Sequence, residues 1–378
     1  MQRGNMKLMK KINRALIIQT LSQQGPLSRA DLTKITDLSP TTISSITEEL
    51  IQEGLIVEVG EGESKGGRRP ILLDINPEDF YILSVNIAVD VMYVYLFNLK
   101  FQVINSVHDL IKKPVSPNLD SQLKELVQKV VENSNIGKKN VVGMGIGATG
   151  IINKEKGLIT YSASLGISDY PLLDKVKREY DFPILLENDT NLAALGEKKF
   201  GCGRQLTNFF YIMIGSAIGG GIIIDNEIYR GKFGGAGEFG HITVEKDGPL
   251  CECGNQGCLN AVLTPYITVR SREEFRKSFQ EIIKDDNFDS CRYHEFCEYL
   301  AMAITNYTKL FDPEAIVLGG EIARIAPERF YIDLEKYIKR MSLKGMNSKI
   351  PVLPSSIRTN AVVLGGACLC FDNLYNNV

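Results

Sequence analysis

One histidine and three cysteines lie within eighteen residues of each other, at His241, Cys251, Cys253 and Cys258. Thiolates and an imidazole are the ligands of tetrahedral structural zinc. Glycines at 254 and 257 permit the tight turns that would bring these four side chains together. The alternative is a cluster of small buried cysteines, but this spacing favours structural Zn²⁺.

Two further segments carry side chains suited to binding a polyol. Glu187-Asn188-Asp189-Thr190-Asn191 directly follows a predicted strand and opens a predicted helix. An aspartate accepts hydrogen bonds from hydroxyls, whereas an asparagine both donates and accepts them. The second segment, GGAGEFGH at 234–241, is a glycine-rich loop with Glu238 and the first zinc ligand. Each segment alone could be ordinary turn chemistry, but together they predict one polyol-binding cleft.

The N-terminus has the charge and periodicity of a nucleic-acid-binding unit. Residues 1–35 contain seven basic residues against Asp31 alone, a net charge of +6. Gly25-Pro26 ends a first helix, Ser28 caps a second, and Ser39-Pro40 begins a third. Ile43, Ile46 and Leu50 face inward on that third helix, which leaves small hydroxyl side chains on its other side. They are Thr41, Thr42, Ser44, Ser45 and Thr47. The predicted DNA contacts on this helix are its cap Ser39 with Thr41, Thr42, Ser44 and Ser45.

This pattern is typical of a helix-turn-helix whose second helix enters the major groove. Two predicted strands, 54–59 and 70–75, follow it and form a wing. The tip of the wing contains Arg68 and Arg69, which can enter a narrow minor groove. The alternative is a small helical domain with a solvated, charged hairpin.

The rest of the chain alternates strands and helices, which predicts an α/β body. Predicted strands are 81–87, 91–97, 141–147, 184–186, 209–214, 221–225 and 315–318, and predicted helices are 119–131, 191–200 and 299–310. Several strands end in glycines, which places ligand-binding loops at the carboxyl edges of the sheets.

Length and composition limit the function classes. The 378 residues predict two or three domains. A net charge of −2 excludes a polycation, so any nucleic-acid role needs local charge. We find no apolar run long enough to span a membrane and no secretory signal, so we expect a cytoplasmic protein. Eight cysteines in such a chain do not form a disulfide framework.

In its combined motifs, the sequence resembles the ROK family (repressors, open reading frames, kinases) of bacterial sugar regulators and sugar kinases. The motifs are GGRRP at 66–70, ENDTN at 187–191, GGAGEFGH at 234–241 and CECGNQGC at 251–258. The resemblance implies a winged helix-turn-helix followed by a two-lobed, actin-like (ribonuclease H-like) sugar-kinase-type body. It divides the chain into 1–75, a smaller lobe of 76–187 with 361–378, and a larger lobe of 188–360 with the zinc knuckle.

The resemblance also assigns site residues. Sugar contacts carry over to Asn188, Asp189, Glu238 and His241, and Asp189 falls where the kinases place their catalytic base. The family's further sugar-contacting glutamate, two residues after the last zinc cysteine, is Asn260 here. This change keeps a hydrogen-bonding group but removes its charge.

The nucleotide side departs from the kinase pattern. The D-x-G-x-T phosphate loop of ROK kinases is replaced here by Asn86, Ala88 and Asp90 at its three defining positions. A carboxylate beside a triphosphate is repulsive, and the metal-orienting aspartate is missing. The second loop, GSAIGGG at 215–221, is half kept. We therefore predict that the protein is not an enzyme.

The resulting prediction is a sugar-responsive repressor of carbohydrate-utilisation genes. We expect a homodimer or a dimer of dimers, bound to double-stranded, palindromic operator DNA and released or retuned by a small sugar between the lobes. Xylose is the first candidate effector, followed by glucose and N-acetylated hexosamines. The alternatives are an active ATP-dependent sugar kinase with an appended DNA-binding domain, and a sugar-binding scaffold without a DNA role.

Overall fold

The computed structural model describes residues 2–63, 69–134, 136, 140–215, 217–267, 272–283, 290–345, 350–357 and 360–376. Its N-terminal unit combines three helices with a small antiparallel sheet of order β1-β3-β2. The helices are α1 (Gln2–Gln24), α2 (Arg29–Thr36) and α3 (Pro40–Gln52), and the strands are β1 (Leu27–Ser28), β2 (Ile56–Glu61) and β3 (Ile71–Ile75). The predicted helix-turn-helix with a β-hairpin wing is confirmed.

Side-chain caps begin both helices of the helix-turn-helix. Ser28 and Asp31 form a reciprocal capping box at the start of α2. At the start of α3, the Ser39 hydroxyl accepts a hydrogen bond from the Thr42 N–H at 3.2 Å, and Pro40 occupies the first helical position.

One expectation for α3 is wrong. Thr47 was predicted to share the outer face with the other hydroxyl side chains, but it is fully buried. Its hydroxyl donates to the Ser44 carbonyl at 3.1 Å and accepts from Arg29 Nε, also at 3.1 Å. The contact with α2 therefore turns this position inward.

Two five-stranded sheets of the same topology form the body. With strands numbered in chain order within each sheet, both have the order 3-2-1-4-5. Strands 1, 4 and 5 are mutually parallel, and strand 2 runs antiparallel to its two neighbours, strands 1 and 3. The first sheet contains β4 (Tyr81–Ile87), β5 (Val91–Asn98), β6 (Val103–Leu110), β7 (Val141–Ala148) and β11 (Ile184–Asn188). The second contains β12 (Phe209–Ile214), β13 (Ile218–Ile224), β14 (Glu227–Ile228), β15 (Ala315–Gly320) and β16 (Val352–Pro354). This duplication agrees with the predicted two-lobed, actin-like body.

Helices and one small sheet complete the body. The small antiparallel sheet has the order β10-β9-β8 and consists of β8 (Ile151–Asn153), β9 (Leu158–Ser162) and β10 (Ile167–Tyr170). The helices are α4 (Val115–Glu132), α5 (Leu172–Val176), α6 (Asp189–Phe200), α7 (Leu259–Leu263), α8 (Arg272–Ile282), α9 (Cys291–Phe311), α10 (Ile322–Ile325), α11 (Glu328–Met341) and α12 (Ala361–Asn376). In the part of the chain that the structure describes, none of the helices is long and apolar enough to cross a membrane.

Helix α12 packs tightly into the body through glycines. A Cβ at Gly365 would lie 1.7 Å from the Leu192 carbonyl oxygen on α6, and a Cβ at Gly145 on β7 would lie 2.2 Å from the Gly366 carbonyl oxygen. The other side of α12 contributes to a hydrophobic cluster shared with α1, β3 and β5. The N-terminal unit and the body are therefore packed against one another.

Candidate functional site

The four predicted metal ligands come together. The ligand atoms of His241, Cys251, Cys253 and Cys258 all lie within 4.8 Å of one another. His241 Nδ1 is 3.6 Å from Cys251 Sγ, and the sulfurs of Cys253 and Cys258 are 3.7 Å apart. Tetrahedral zinc, with bonds of about 2.0–2.3 Å, places neighbouring ligand atoms roughly 3.5–3.8 Å apart. The geometry therefore fits a metal ion of this kind.

Close backbone approach within the cysteine loop explains its shape. Gly257 has a φ of +69°, and a Cβ there would lie 1.6 Å from the Glu245 carbonyl oxygen. The Val244 N–H donates to the Gly257 carbonyl at 2.9 Å, and the Cys251 N–H donates to the Asn255 carbonyl at 2.7 Å. Only glycine fits at 257, because the loop folds back directly onto the segment after His241.

Asn188 connects the end of β11 with the start of α6. Its side-chain oxygen accepts hydrogen bonds from the N–H groups of Thr190 and Asn191 at 2.9 and 3.1 Å, and its amide donates to the Gly150 carbonyl at 3.0 Å. The side chain thus acts as the N-cap of α6. It fixes where Asp189, the first residue of that helix, enters the cleft.

Asp189 and Glu238 form an acidic pair in which Asp189 is buried and Glu238 is half-buried. Burial raises the pKa of Asp189 to about 7, a hydrogen bond from the Thr190 N–H opposes this rise, and the Glu238 charge adds to it. Burial also raises the pKa of Glu238. Near neutral pH, a carboxyl group with a raised pKa can accept a hydrogen bond from a hydroxyl when it is ionised and donate one when it is protonated.

His241 and Asn260 connect the metal cluster to the surrounding loops. Burial lowers the pKa of His241, which favours the neutral imidazole that ligates metals. Asn260 Oδ1 accepts from the Ile218 N–H at 3.3 Å, and a Cβ at Gly240 would lie 2.4 Å from Asn260 Nδ2. Asn260 therefore packs between β13 and the loop that contains Glu238.

An ion pair that the sequence analysis missed joins the two predicted sugar segments. Buried Glu187 accepts from Arg230 Nε at 2.5 Å, from Asn191 Nδ2 at 3.0 Å and from the Asn188 N–H at 3.0 Å. Arg230 lies four residues before the glycine-rich loop 234–241. Glu187 was part of a recognised motif, but no local signal identifies Arg230 as its partner, because 43 residues separate them.

The cleft between the two sheets also contains two of the three altered nucleotide positions, Asn86 and Ala88. Asn86 is the residue before the last of β4; its side chain is buried, and its Nδ2 lies 3.4 Å from Asn360 Oδ1. The retained glycines of the second loop lie against α6: a Cβ at Gly219 would be 2.7 Å from Thr190 Cγ2, and one at Gly221 would be 2.5 Å from the Thr190 carbonyl oxygen.

The predicted DNA-contacting side chains are unequally exposed. Ser39, Thr41 and Ser45 are exposed on α3, whereas Thr42 and Ser44 are half-buried. The Ser39 hydroxyl lies 2.9 Å from each of the Thr41 and Thr42 hydroxyls, so these three groups interact at the helix start. On the wing, Arg69 is exposed. Arg68 lies outside the described residues.

Part of the basic charge of α1 is paired within the protein. Lys10 Nζ lies 2.7 Å from Glu49 Oε1, and Arg14 Nη2 lies 2.5 Å from Glu53 Oε2. Both acceptors belong to the end of α3 or the residue after it. These ion pairs hold the first helix against the second helix of the helix-turn-helix, so part of the local positive charge predicted from the sequence is neutralised within the protein.

The family model described as "ROK family" matches residues 82–373. The chain belongs to the ROK family. A second model, "Winged helix-turn-helix DNA-binding", matches residues 12–57 of this ROK protein.

Similar proteins cover the whole length of the chain. The xylose repressor of Caldicellulosiruptor bescii is 32% identical, with 98% of each chain covered. Among solved structures, a ROK family transcriptional regulator, a homologue of the Escherichia coli MLC protein, is 27% identical with a TM-score of 0.75, and 97% of each chain is covered. A ROK family glucokinase from Streptomyces griseus, in complex with glucose and AMPPNP, is 26% identical with a TM-score of 0.65, and covers 76% of this chain and 98% of its own. The similar structures thus include a regulator that matches nearly the whole chain and a kinase that matches about three quarters of it.

Proposed function

We propose that this ROK protein is a DNA-binding transcriptional repressor whose affinity for its operator is set by a sugar bound beside Asp189 and Glu238. The observation that carries this proposal is the combination, in one packed chain, of a winged helix-turn-helix with a cleft that keeps the sugar-side residues and lacks the phosphate-side ones. The full-length similarity to a protein named xylose repressor supports it and makes xylose the first effector to test.

Asn188, Asp189, Glu238, His241 and Asn260 are the proposed sugar contacts. Asp189 and Glu238 supply acceptors or, when protonated, donors for sugar hydroxyls. His241 directs Nδ1 towards Cys251, which leaves Nε2 for a hydroxyl. Asn188 uses its oxygen to cap α6 and one amide hydrogen to bind the Gly150 carbonyl, so its role is to position Asp189 and to offer its other amide hydrogen.

The proposed metal is structural Zn²⁺ held by His241, Cys251, Cys253 and Cys258. Four protein ligands close the coordination sphere, which is typical of structural rather than catalytic zinc. The ion would cross-link and so stabilise a loop that has few buried apolar side chains. Because His241 belongs to both sets, this cross-link would also fix the orientation of the sugar-binding loop.

On the DNA side, α3 is the proposed recognition helix. Its exposed Thr41 and Ser45 would face base edges in the major groove, and Arg68 and Arg69 of the wing would contact the backbone or the minor groove. We further propose a homodimer, because two such units bind the half-sites of a palindrome on one face of the duplex.

The structure offers a direct connection between the two sites. Asp189 begins α6, and Phe200 ends it. The Phe200 ring lies 4.9 Å from the Phe101 ring, and the preceding residue, Lys100, binds Asp74 of wing strand β3 at 2.6 Å. We infer that displacement of α6 by the sugar is transmitted through this turn to the wing. The sugar acts only to the extent that it binds one of the two arrangements more tightly.

The test begins with selection of genomic fragments that the purified protein binds, followed by fluorescence anisotropy on a selected site with and without sugars. We expect nanomolar-range affinity that changes with one sugar of a panel headed by xylose, as coupling of about 5–150-fold would produce. The test variant is Glu238→Gln, which should bind DNA as the unaltered protein does but respond weakly to the sugar. Sequence-independent DNA binding, or specific binding that no sugar alters, would contradict the proposal.

One observation favours the alternative, an active sugar kinase. Asp189, with its pKa raised to about 7, is suited to remove a proton from a sugar hydroxyl. Phosphoryl transfer also needs charge neutralisation around the triphosphate, and Asn86, Ala88 and Asp90 do not supply it. A coupled ATP-turnover assay over the same sugars should give no turnover. Turnover above about 1 s⁻¹ that Asp189→Asn abolishes would establish the kinase instead.

A further inference from the structure

A cavity of about 490 Å³ extends from Asp189 between the carboxyl ends of the first strands of the two sheets. Asn86 and Ala88 lie on its smaller-lobe wall, and Met213 and Gly320 lie on the opposite wall. This volume is within the usual range for small-molecule sites. Of the five proposed sugar contacts, Asp189 is the one that also lines this cavity.

The charge of the cavity does not suit a polyphosphate. Its charged lining residues are two carboxylates, Asp189 and Glu321, and two guanidinium groups, Arg276 and Arg324. Arg276 is already bound to Glu321, with Nε and Nη2 at 2.8 and 2.7 Å from Oε2. A site without net positive charge does not offset the charge of a triphosphate, whereas it suits an uncharged ligand.

The uncharged lining residues suit a second sugar ring. Asn86, Gln280 and Asn360 present amides, and Tyr211 and Met213 present apolar surface. Asn86 is almost fully buried, and its Oδ1 has no hydrogen-bond partner among the described residues. Amides bind hydroxyls in either direction, and apolar side chains pack on the carbon face of a pyranose.

From this arrangement we propose that the cavity is a second glycosyl subsite, so that the effector of this protein is a disaccharide. The inference rests on the proposed sugar site. A sugar bound at Asp189 directs one hydroxyl towards the cavity, and a second ring joined through that oxygen would occupy it. An uncharged glycosyl group suits both the balanced charge and the amides, whereas the negative charge of a phosphate at the same oxygen would not be offset there.

The experiment measures binding by calorimetry to the full-length protein. The probes are xylose with xylobiose, glucose with cellobiose and gentiobiose, and AMPPNP with Mg²⁺. We expect one disaccharide to bind at least about tenfold more tightly than its monosaccharide, as two additional hydrogen bonds would give. Ala88→Leu and Ala323→Leu fill the cavity from opposite walls and should reduce the disaccharide to the affinity of the monosaccharide. Ala163→Leu, a half-buried alanine outside the cavity, is the control and should change neither affinity.

The outcomes separate this inference from the function on which it rests. Monosaccharide binding that no disaccharide exceeds, or a disaccharide advantage that both leucine variants retain, would overturn the second subsite and leave the repressor intact. Tight AMPPNP binding that the leucine variants abolish would overturn it as well and assign the cavity to a nucleotide. If no sugar of either size binds or alters DNA affinity, the proposed function fails with it.

Discussion

The ring of Phe101 lies edge-on against the ring of Phe200, with their centroids 4.9 Å apart, and a second contact at 5.1 Å joins Phe101 to Phe371 of α12. Phe101 thus contacts α6 and α12, two helices that pack against each other, and Lys100, the residue before it, binds Asp74 of the wing. Its φ of +59° is rare for a bulky residue. The turn is therefore held by these contacts rather than by its own preference.

Phe101→Leu should uncouple the two sites. The leucine keeps most of the buried volume but loses the aromatic contacts, which are worth about 0.5–1.5 kcal/mol each. We expect affinities for sugar and for operator, each measured alone, to change less than about threefold, while the effect of sugar on operator affinity falls to near unity. Anisotropy titrations at several sugar concentrations measure this. Phe182→Leu, in the stacked pair with Tyr180 elsewhere on the body, is the control. Full coupling in Phe101→Leu would remove this turn from the mechanism.

Cys253→Ser should abolish metal binding. The serine hydroxyl is a poor zinc ligand, so the content found by elemental analysis should fall from about one zinc per chain to near zero. The sugar response should weaken with it, because His241 belongs to both sites. Cys291→Ser, at an exposed cysteine outside the cluster, should keep its zinc. Loss of zinc together with an intact sugar response would show that the loop stays in place without the ion.

Asp189 should make the protein less stable as pH rises towards neutrality. Its pKa is about 7 in the folded protein, far above that of an unfolded aspartate, so the folded state retains a proton that the unfolded state has lost. Its contribution to the free energy of unfolding is complete below about pH 4 and falls by roughly 1.4 kcal/mol per pH unit up to about pH 7. Urea denaturation at pH 5, 6 and 7 should therefore show a shallower decline in Asp189→Asn. Parallel curves for the two proteins would mean that Asp189 is already ionised at pH 5.

The wing arginines and α3 should contribute differently to DNA binding. Arg68→Ala with Arg69→Ala should weaken operator binding and reduce the slope of log K against log salt by up to about two, because fewer counterions are released. Ser45→Ala should instead alter the preferred sequence with the salt slope unchanged. Lys154→Ala with Lys156→Ala removes two exposed charges from the β8–β9 hairpin and should have neither effect. An unaltered salt slope in the arginine variant would exclude the wing from the interface.

Local signals predicted the elements that lie around the sites. The strands 81–87 and 209–214 have the predicted bounds, since both are largely apolar segments in the middle of a sheet. Both helices of the helix-turn-helix begin at the predicted caps. The four predicted metal ligands converge because their spacing in the sequence is short. The roles of the sugar, metal and DNA residues, and the divisions at 75, 187 and 360, stay predictions.

What the sequence did not reveal depends on contacts between distant segments. Helix α12 contains Gly365-Gly366, a pair that costs about 1 kcal/mol per residue in a helix and is typical of a turn. Its helical state is explained by the close approach to Leu192 and Gly145, which no local pattern encodes. The same reason explains why the burial of Thr47 was predicted wrongly and the ion pair of Arg230 was not predicted. Thr47 binds Arg29 and Arg230 binds Glu187, and both partners are distant in the sequence.

The glycines at 219 and 221 have a consequence for how ROK sequences are classified. Their small size is required by the first turn of α6, whether or not a nucleotide ever binds nearby. Selection for folding alone would therefore keep this glycine run through the loss of an ancestral phosphotransferase, so its presence does not separate an active enzyme from a descendant that has become a regulator. Positions 86, 88 and 90, where this chain departs from the phosphate-loop pattern of the kinases, are where that divergence would be recorded.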